Sequence, residues 1–401
     1  MTDSADSPAK GARKRRHWLR WAALGAAVVV LVAAGVGWWL YRKLDGNITT
    51  DTTAAAELLR YEKERPSPAV NAARNILLIG SDTRAGAGNA KYGHDGGTQR
   101  SDTTILLHIS AGGAGATAVS IPRDLMVQIP SCARTGQAGR AGKAGKAEKA
   151  GKAGKAGEGD GGRTSPQFAQ FNWAFELGGT ACTIRTLEKL TKIRIDHHMV
   201  IDFRGFKKMV DAVDGVEICL KEPIDDKDAH LKLPAGRQVL HGEQALGFVR
   251  ARKSLGNGSD TERMDRQQQF LGALVNKVQS DGVLLNPTRL YPVLDAATKS
   301  ITTDPGLASL RDLYDLARSM RAVPTEKVQF LTVPRRPYSY NANRDELVQP
   351  AADQLFARLR ADQPVTVHPG DSGRTEPTAD GPGASAAPSF AGRNAAEGVC
   401  R

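Results

Sequence analysis

Most of the signatures that would name an enzyme directly are missing from the 401 residues. There is no P-loop, no GxSxG, no HExxH and no Ser/His or Cys/His arrangement at catalytic spacing. That excludes the common nucleotide-hydrolysing, serine-hydrolase and zinc-protease designs. Cysteine is scarce: Cys132, Cys182, Cys219 and Cys400 are the full set, and none stands in CxxC or metal spacing. A zinc module and a dithiol redox centre are thereby excluded. Charge is absent between Arg20 and Arg42, and no small-residue cleavage site follows that stretch. A cleaved leader is therefore not the favoured reading.

What fills the uncharged stretch is WAALGAAVVVLVAAGVGWWLY, about the 20 apolar residues that span a bilayer as a helix. Trp18, Trp21, Trp38, Trp39 and Tyr41 sit at its two ends as an aromatic belt. Lys10, Arg13, Lys14, Arg15 and Arg16 precede it, so the positive-inside rule puts the N-terminus in the cytoplasm and the rest outside. The expected layout is a basic cytoplasmic tail over 1–17, an anchor over 18–41 and a linker with a juxtamembrane helix over 42–71. A catalytic domain follows over 72–362, then a disordered tail over 363–401, rich in Pro, Gly, Ser and Ala.

Lys plus Arg total 55 against 43 for Asp plus Glu, a net charge of +12, which favours an anionic partner. Part of the excess lies in a low-complexity insertion over 134–162, whose centre reads AGKAGKAEKAGKAGKAG. It has no apolar face, and its glycines cost about 1 kcal/mol each against alanine in a helix. A disordered basic loop is expected there. An extracytoplasmic setting permits disulfides. Cys132 with Cys182, bridging the flanks of the insertion, is the preferred pair, although three pairings stay open among the first three cysteines.

Three strand-length apolar runs, 76–79, 103–109 and 117–121, lead the domain. Each borders charge: Asp82 and Arg84, then Arg100 and Asp102, then Arg123 and Asp124. Ligands bind at the ends of buried strands, so carboxylates and arginines there point to a metal-plus-phosphate site. Surface ion pairs capping strand ends are the plainer alternative. Strands then alternate with helices, expected at 171–192, 205–213, 242–248, 260–278, 287–299, 306–320 and 344–359, which suggests a mostly parallel sheet. His197 and His198 point to opposite strand faces, so a shared metal is disfavoured. Arg250 and Arg252 share a face if their segment is extended. Arg263 and Arg266 share a helix face in first turns where the macrodipole disfavours cations, which makes sense against an anionic ligand.

NILLIGSDTR, RSDTT, SIPRD, NWAFELGG, IDHHMVIDFRGF, GEQALGFVRAR and the DxxRxxRQQ run 260–268 occur in that order. Together they resemble the LytR-CpsA-Psr family of cell-envelope phosphotransferases, over roughly 72–334. The resemblance implies an α/β fold, an αβα sandwich with a central mixed sheet flanked by helices. It implies transfer of a glycan phosphate from a polyprenyl-pyrophosphate carrier to a peptidoglycan hydroxyl, with Mg²⁺ as cofactor. By motif, Asp82 and Asp102 match the magnesium-associated aspartates. Arg84, Arg100, Arg123, Arg250, Arg252, Arg263 and Arg266 match the arginines around the pyrophosphate, with Asp260 and Gln267 beside them. The catalytic set expected is Asp82, Asp102, Arg123, Arg252 and Arg263. The expected partners are the lipid-linked glycan donor, the peptidoglycan acceptor and the membrane, with no nucleic acid. Two alternatives remain: a pyrophosphatase acting on the same donor with water, and an envelope binding or regulatory protein.

Overall fold

The computed structural model describes residues 11–69, 71–82, 101–134, 162–251, 260–280, 287–368 and 388–398. Two units divide at Asn47/Ile48. The first is essentially one helix, α1 (Gly11–Asp45), whose stretch Trp21–Asp45 is long and apolar enough to cross a membrane.

The second unit begins with β1 (Thr49–Thr50) and α2 (Thr52–Arg60), then β2 (Arg74–Ser81), β3 (Ser101–Ile109) and β4 (Ala116–Ile121). A ribbon of β5 (Met126–Ile129) and β6 (Gln167–Gln170) leads into α3 (Asn172–Thr191), β7 (His197–Asp202) and α4 (Phe203–Ala212). Two nested hairpins follow, β8 (Val216–Leu220) with β11 (Gly236–Leu240) enclosing β9 (Ile224–Asp226) with β10 (Leu231–Leu233). Then come α5 (Gly242–Arg250), α6 (Asp260–Ser280), α7 (Pro287–Thr298), β12 (Ile301–Thr303) and α8 (Leu310–Arg321). The chain closes with β13 (Val328–Thr332), the hairpin β14 (Arg335–Tyr338) and β15 (Asn341–Leu347), α9 (Ala351–Arg360), β16 (Thr366–His368) and β17 (Ser389–Asn394).

One sheet organises the unit, in the order β1-β12-β7-β2-β3-β4-β13-β17-β16. Its central strands are apolar on both faces, so both must be covered. Leu77, Ile79, Leu106 and Val119 pack on one side with Phe175 and Leu187 of α3 and Leu355 and Phe356 of α9. Ile105, Ala118 and Phe330 pack on the other with Leu271 and Val275 of α6. This is the expected αβα sandwich. The sheet itself is evenly mixed rather than mostly parallel: β2–β3, β3–β4, β7–β12 and β13–β17 are antiparallel. The link from β3 to β4, residues 110–115, is a short meander turn that strand-helix alternation elsewhere in the chain does not reveal.

Three further expectations are corrected. The 42–71 segment is built into the domain: β1 pairs β12, and Arg65 grips Glu188 through Nε–Oε2 at 3.0 Å and Nη2–Oε1 at 2.8 Å. The tail is partly folded, because β17 completes the sheet against β13. Residues 344–347, expected to open a helix, belong to β15, which is tied to β14 by the buried Arg335–Asp345 ion pair. Residues 135–161 of the insertion lie outside the described residues.

The disulfide is Cys132–Cys182, with Cα atoms 5.6 Å apart, and Cys219 is disulfide-bonded as well. The double glycine of NWAFELGG makes room for the first bond. A Cβ on Gly178 would lie 2.7 Å from both cysteine Cβ atoms, and Gly179 takes φ 61° at a kink in α3.

Candidate active site

Antiparallel pairing decides where the two key aspartates fall. Ser81 of β2 pairs with Ser101 of β3, so Asp82, just after one strand, and Asp102, at the start of the other, emerge at the same end of the sheet. β4 runs antiparallel to β3 and finishes there too, which delivers Arg123. β7 is parallel to β2, with Ser81 opposite Asp202, and brings a third aspartate to that end.

Arg123 holds two acids at once. Its Nη1 lies 3.1 Å from Oδ1 of Asp102 and its Nε 3.2 Å from Oδ2 of Asp124. Asp124 also accepts from Gln170 and stands 3.4 Å from Nη1 of Arg344. This network borders a cavity of about 770 Å³ between the sheet and α4, α5 and α6.

The cavity is graded. Along α6, Arg263, Gln267, Phe270 and Leu271 fall at i, i+4, i+7 and i+8, one stripe that passes from charge to apolar. Leu246, Val249 and Arg250 of α5 repeat the grading in the opposite chain direction, so Arg250 stands with the rim. Leu78, Ile105, Ile201 and Phe206 complete the apolar wall, and Phe206 packs on Phe270 at 5.4 Å between ring centroids. Arg250 lies over the Phe203 ring at 4.6 Å, a cation–π contact at a helix C-terminus, where the macrodipole favours a cation. Arg263, in the first turn of α6, has the opposite relation to its dipole and faces the cavity.

The expected residues do not all converge. Asp82, Asp102, Arg123, Arg250, Arg263 and Gln267 line the cavity, and Gln267 donates to the Val249 carbonyl at 3.2 Å. Asp260 opens α6. Arg84, Arg100 and Arg252 lie outside the described residues. Arg250 is helical, so the extended geometry expected for it does not hold. Arg266 is buried and off the cavity wall. It donates to the Ala251 carbonyl, joining the end of α5 to the start of α6, and burial pushes its pKa down against the pull of Glu262. Residues three apart on a helix share a side, but here one turns to the cavity and the other to backbone.

Sequence reasoning missed Asp202, Asp226, Asp228 and Arg344, and gave Asp124 no role. All line the cavity, drawn from elements far apart in the chain. Asp202 caps α4 through Gly205 N–H at 2.7 Å, and Asp226 accepts from Ala229 N–H at 3.0 Å, so both also serve local structure. Asn172 and Trp173 line the cavity too, from the start of α3.

Six aspartates and four arginines are therefore among the described lining residues. That donor set is hard oxygen, which suits Mg²⁺ and not a soft metal. Among the described residues, no cluster of three or more His, Cys, Asp or Glu could hold a metal on protein ligands alone. Two carboxylates sharing the ion with substrate phosphate is the arrangement that fits.

An αβα sandwich whose cavity opens, between arginines and aspartates, at one end of a mixed sheet defines the LytR-CpsA-Psr class of cell-envelope proteins. The chain belongs to that family: the LytR_cpsA_psr family model matches residues 44–361. It is 31% identical over 323 residues to the cell wall biosynthesis protein LcpA of Corynebacterium glutamicum, a match covering 77% of this chain and 58% of LcpA. It is 25% identical to the polyisoprenyl-teichoic acid–peptidoglycan teichoic acid transferase TagT of Bacillus subtilis, over 84% of this chain and 94% of TagT. The chain thus spans little more than half the length of LcpA but nearly all of TagT. Among solved structures, a LytR-Csp2A-Psr enzyme from Actinomyces oris has the same fold, with a TM-score of 0.52 at 22% identity, covering 74% of this chain and 93% of that one.

Proposed function

We infer that the chain is a membrane-anchored, extracytoplasmic phosphotransferase. It moves a glycopolymer from a polyprenyl-pyrophosphate carrier to peptidoglycan, leaving a phosphodiester. The observation that carries this reading is the grading of one cavity from an arginine- and aspartate-rich rim to an apolar interior. Such a cavity suits a molecule that is a pyrophosphate at one point and a hydrocarbon beyond it. The named activity of TagT supports the same substrate class. The flank of basic residues before the apolar stretch of α1 supports a cytoplasmic N-terminus and an outward-facing domain.

In the proposed reaction, an acceptor hydroxyl oxygen attacks the phosphorus that bears the glycan. The bond from that phosphorus to the bridging oxygen breaks, and polyprenyl phosphate leaves. The hydroxyl proton passes to a rim carboxylate or to solvent. Arg123, Arg250 and Arg263 hold the pyrophosphate oxygens, since guanidinium forks match them in bidentate fashion. Binding of the phosphate would draw Arg123 from its present partners and free Asp102. Asp82 and Asp102 would hold Mg²⁺, which would neutralise phosphate charge as the leaving group departs.

The experiment is transfer of a lipid-pyrophosphate-linked sugar to a peptidoglycan oligomer, with mass spectrometry of lipid bound to the purified full chain. Polymer-bound product that depends on Mg²⁺, and a co-purified polyprenyl species, are expected. Free glycan phosphate as the sole product would make the protein a hydrolase. No carrier lipid and no turnover of either kind would end the enzymatic reading.

A further inference from the structure

Aromatic side chains make up 5% of the chain, and four of the five tryptophans lie in the anchor helix. The fifth, Trp173, stands at the cavity rim with 41% of its surface exposed. A run of three further rings stands on the two elements that reach Asp124. Phe168 is 48% exposed and Tyr340 is 87% exposed, and both flank Tyr338, at ring-centroid distances of 6.1 Å and 5.4 Å. The rings are tilted by 56° and 52°, so their faces form a stepped surface rather than a packed stack.

This surface continues from the cavity. Phe168 and Gln170 are two apart on β6, so they share a face of the ribbon, and Gln170 lines the cavity and donates to Asp124. Tyr338 and Tyr340 sit at the tip of the β14–β15 hairpin, whose Arg344 reaches the same Asp124. Single exposed apolar residues need no explanation, but a connected aromatic run at the mouth of a site does. A second observation points the same way. Asn172, only 7% exposed, lines the cavity between Gln170 and Trp173, and its Oδ1 is buried with no hydrogen-bond partner among the described residues. A buried amide oxygen left unpaired is unfavourable, and a ligand hydroxyl would satisfy it.

Resting on the phosphotransferase reading, we propose that Trp173, Phe168, Tyr338 and Tyr340 form a saccharide-binding platform for the acceptor glycan strand, with Asn172 accepting from a sugar hydroxyl. Pyranose rings present a face of C–H groups that stacks on aromatic rings, and their rim of hydroxyls pairs with amides. The acceptor is favoured over the donor glycan by the geometry of displacement. Attacking and leaving oxygens are roughly in line on phosphorus. The leaving polyprenyl phosphate occupies the apolar interior, so the attacking hydroxyl comes from the outer side of the rim, where the hairpin and ribbon stand.

The test is calorimetric binding of a soluble, uncross-linked peptidoglycan tetrasaccharide to the full chain in detergent, with acceptor and donor KM measured alongside. Each of Tyr340→Ser and Phe168→Ala should weaken tetrasaccharide binding roughly 3- to 10-fold, the size expected for one ring contact. Acceptor KM should rise in step while donor KM and kcat at saturating acceptor stay put. Tyr340→Phe should bind as wild type, because the ring and not the hydroxyl makes the contact. Both rings are exposed, so the core does not rest on them, and unchanged melting temperatures would verify that. Wild-type binding of the tetrasaccharide by both variants, or none by the unmutated protein, overturns the proposal. A rise in donor KM instead would assign the rings to the donor glycan and equally overturn it. Failure of the phosphotransferase reading would show separately, as absence of carrier lipid and of turnover in a protein whose tetrasaccharide binding is still measured.

Discussion

Replacing Arg123 by alanine separates a catalytic role from a structural one, because the two predict losses of very different size. Arg123 is 22% exposed at its side chain, with partners Asp102 and Asp124 at 28% and 16%. Ion pairs that water still reaches contribute about 0–1 kcal/mol each, so losing these two should cost about 0–2 kcal/mol of stability. Over a domain of this size that is a few degrees of melting temperature. Rate should fall far more. A preorganised charge facing developing negative charge is worth about 10²–10³-fold in kcat, roughly 2.7–4 kcal/mol. Arg123→Lys should be impaired too, since one ammonium cannot replace the bidentate fork of the guanidinium on phosphate oxygens. The assays are transfer of a lipid-pyrophosphate-linked sugar and thermal unfolding of the same preparation. A folded Arg123→Ala protein within about 5-fold of wild-type rate would refute the assignment, because the loss expected is at least 10²-fold. So would a rate loss accompanied by a collapse in melting temperature, since the residue would then be holding the fold.

Other perturbations report on the scaffold and the rim. Asp102→Asn should nearly abolish transfer without unfolding the protein, and transfer at wild-type rate would exclude Asp102 from the site. Arg65→Ala strands Glu188, 3% exposed at its side chain, with the Ile195 N–H as the one remaining partner of that side chain among the described residues. Breaking a buried pair by removing one partner costs about 3–5 kcal/mol, so this variant should melt several degrees lower than Arg123→Ala. Deleting residues 135–161 and closing the gap with a short turn should leave melting nearly unchanged. Arg134 N–H already meets the Gly162 carbonyl at 3.0 Å and Thr164 N–H the Cys132 carbonyl at 2.8 Å, so the neck is closed by its own hydrogen bonds. Loop-closure entropy favours the shorter loop by only about 1–2 kcal/mol over such a length change. Acid should destabilise the fold through Asp51, Asp304 and Asp362. Burial acts to raise each, but the pull of a nearby histidine (His198, His197 and His108 respectively) and of backbone N–H donors together outweighs it and holds all three below the ordinary 3.8. A depressed folded-state pKa gives stability that is complete above 3.8 and lost as pH falls through the lower folded value. Asp304→Asn should therefore flatten the acid limb of an unfolding-versus-pH curve below about pH 4, and an unchanged limb would exclude this residue as a contributor.

The opposed demands on the rim explain its composition. A pyrophosphate needs positive charge, yet the described lining has more aspartate than arginine. Asp202 and Asp226 are engaged in capping α4 and a turn, and Asp124 is engaged by Gln170 and Arg344. Asp82 and Asp102 are the pair placed by neighbouring strand ends rather than by a capping task. An anion would meet them unfavourably unless a divalent cation came with it, and arginines already committed to aspartates would have to exchange partners. On the proposed reading, the site would take a metal-bearing anion in preference to a bare one.

How much of this the sequence disclosed depends on the range of the interaction involved. The convergence of Asp82 and Asp102 was legible because it needs only two adjacent strands to be antiparallel, and the Cys132–Cys182 bond because it closes the flanks of one insertion. Arg344 was not, because Asn343, Arg344 and Asp345 have no strand preference; β15 exists because Arg335 and Asp345 pair across the hairpin. β17 was hidden in a composition of Pro, Gly, Ser and Ala. Its one signal was Phe390 beside small residues, and smallness is what the place requires, since a Cβ on Gly392 would fall 2.4 Å from the Phe330 carbonyl oxygen. The apolar half of the cavity is the hardest case. Leu78, Ile105, Phe206 and Phe270 read as core by every periodicity rule, and lining a cavity leaves no trace in such rules. A trace does survive on α6, where Arg263 and Gln267 sit on the same stripe as Phe270 and Leu271. A helix buried against a filled core has no use for an arginine at the head of its apolar stripe. One laid along a groove that is charged at the mouth and oily within needs that order.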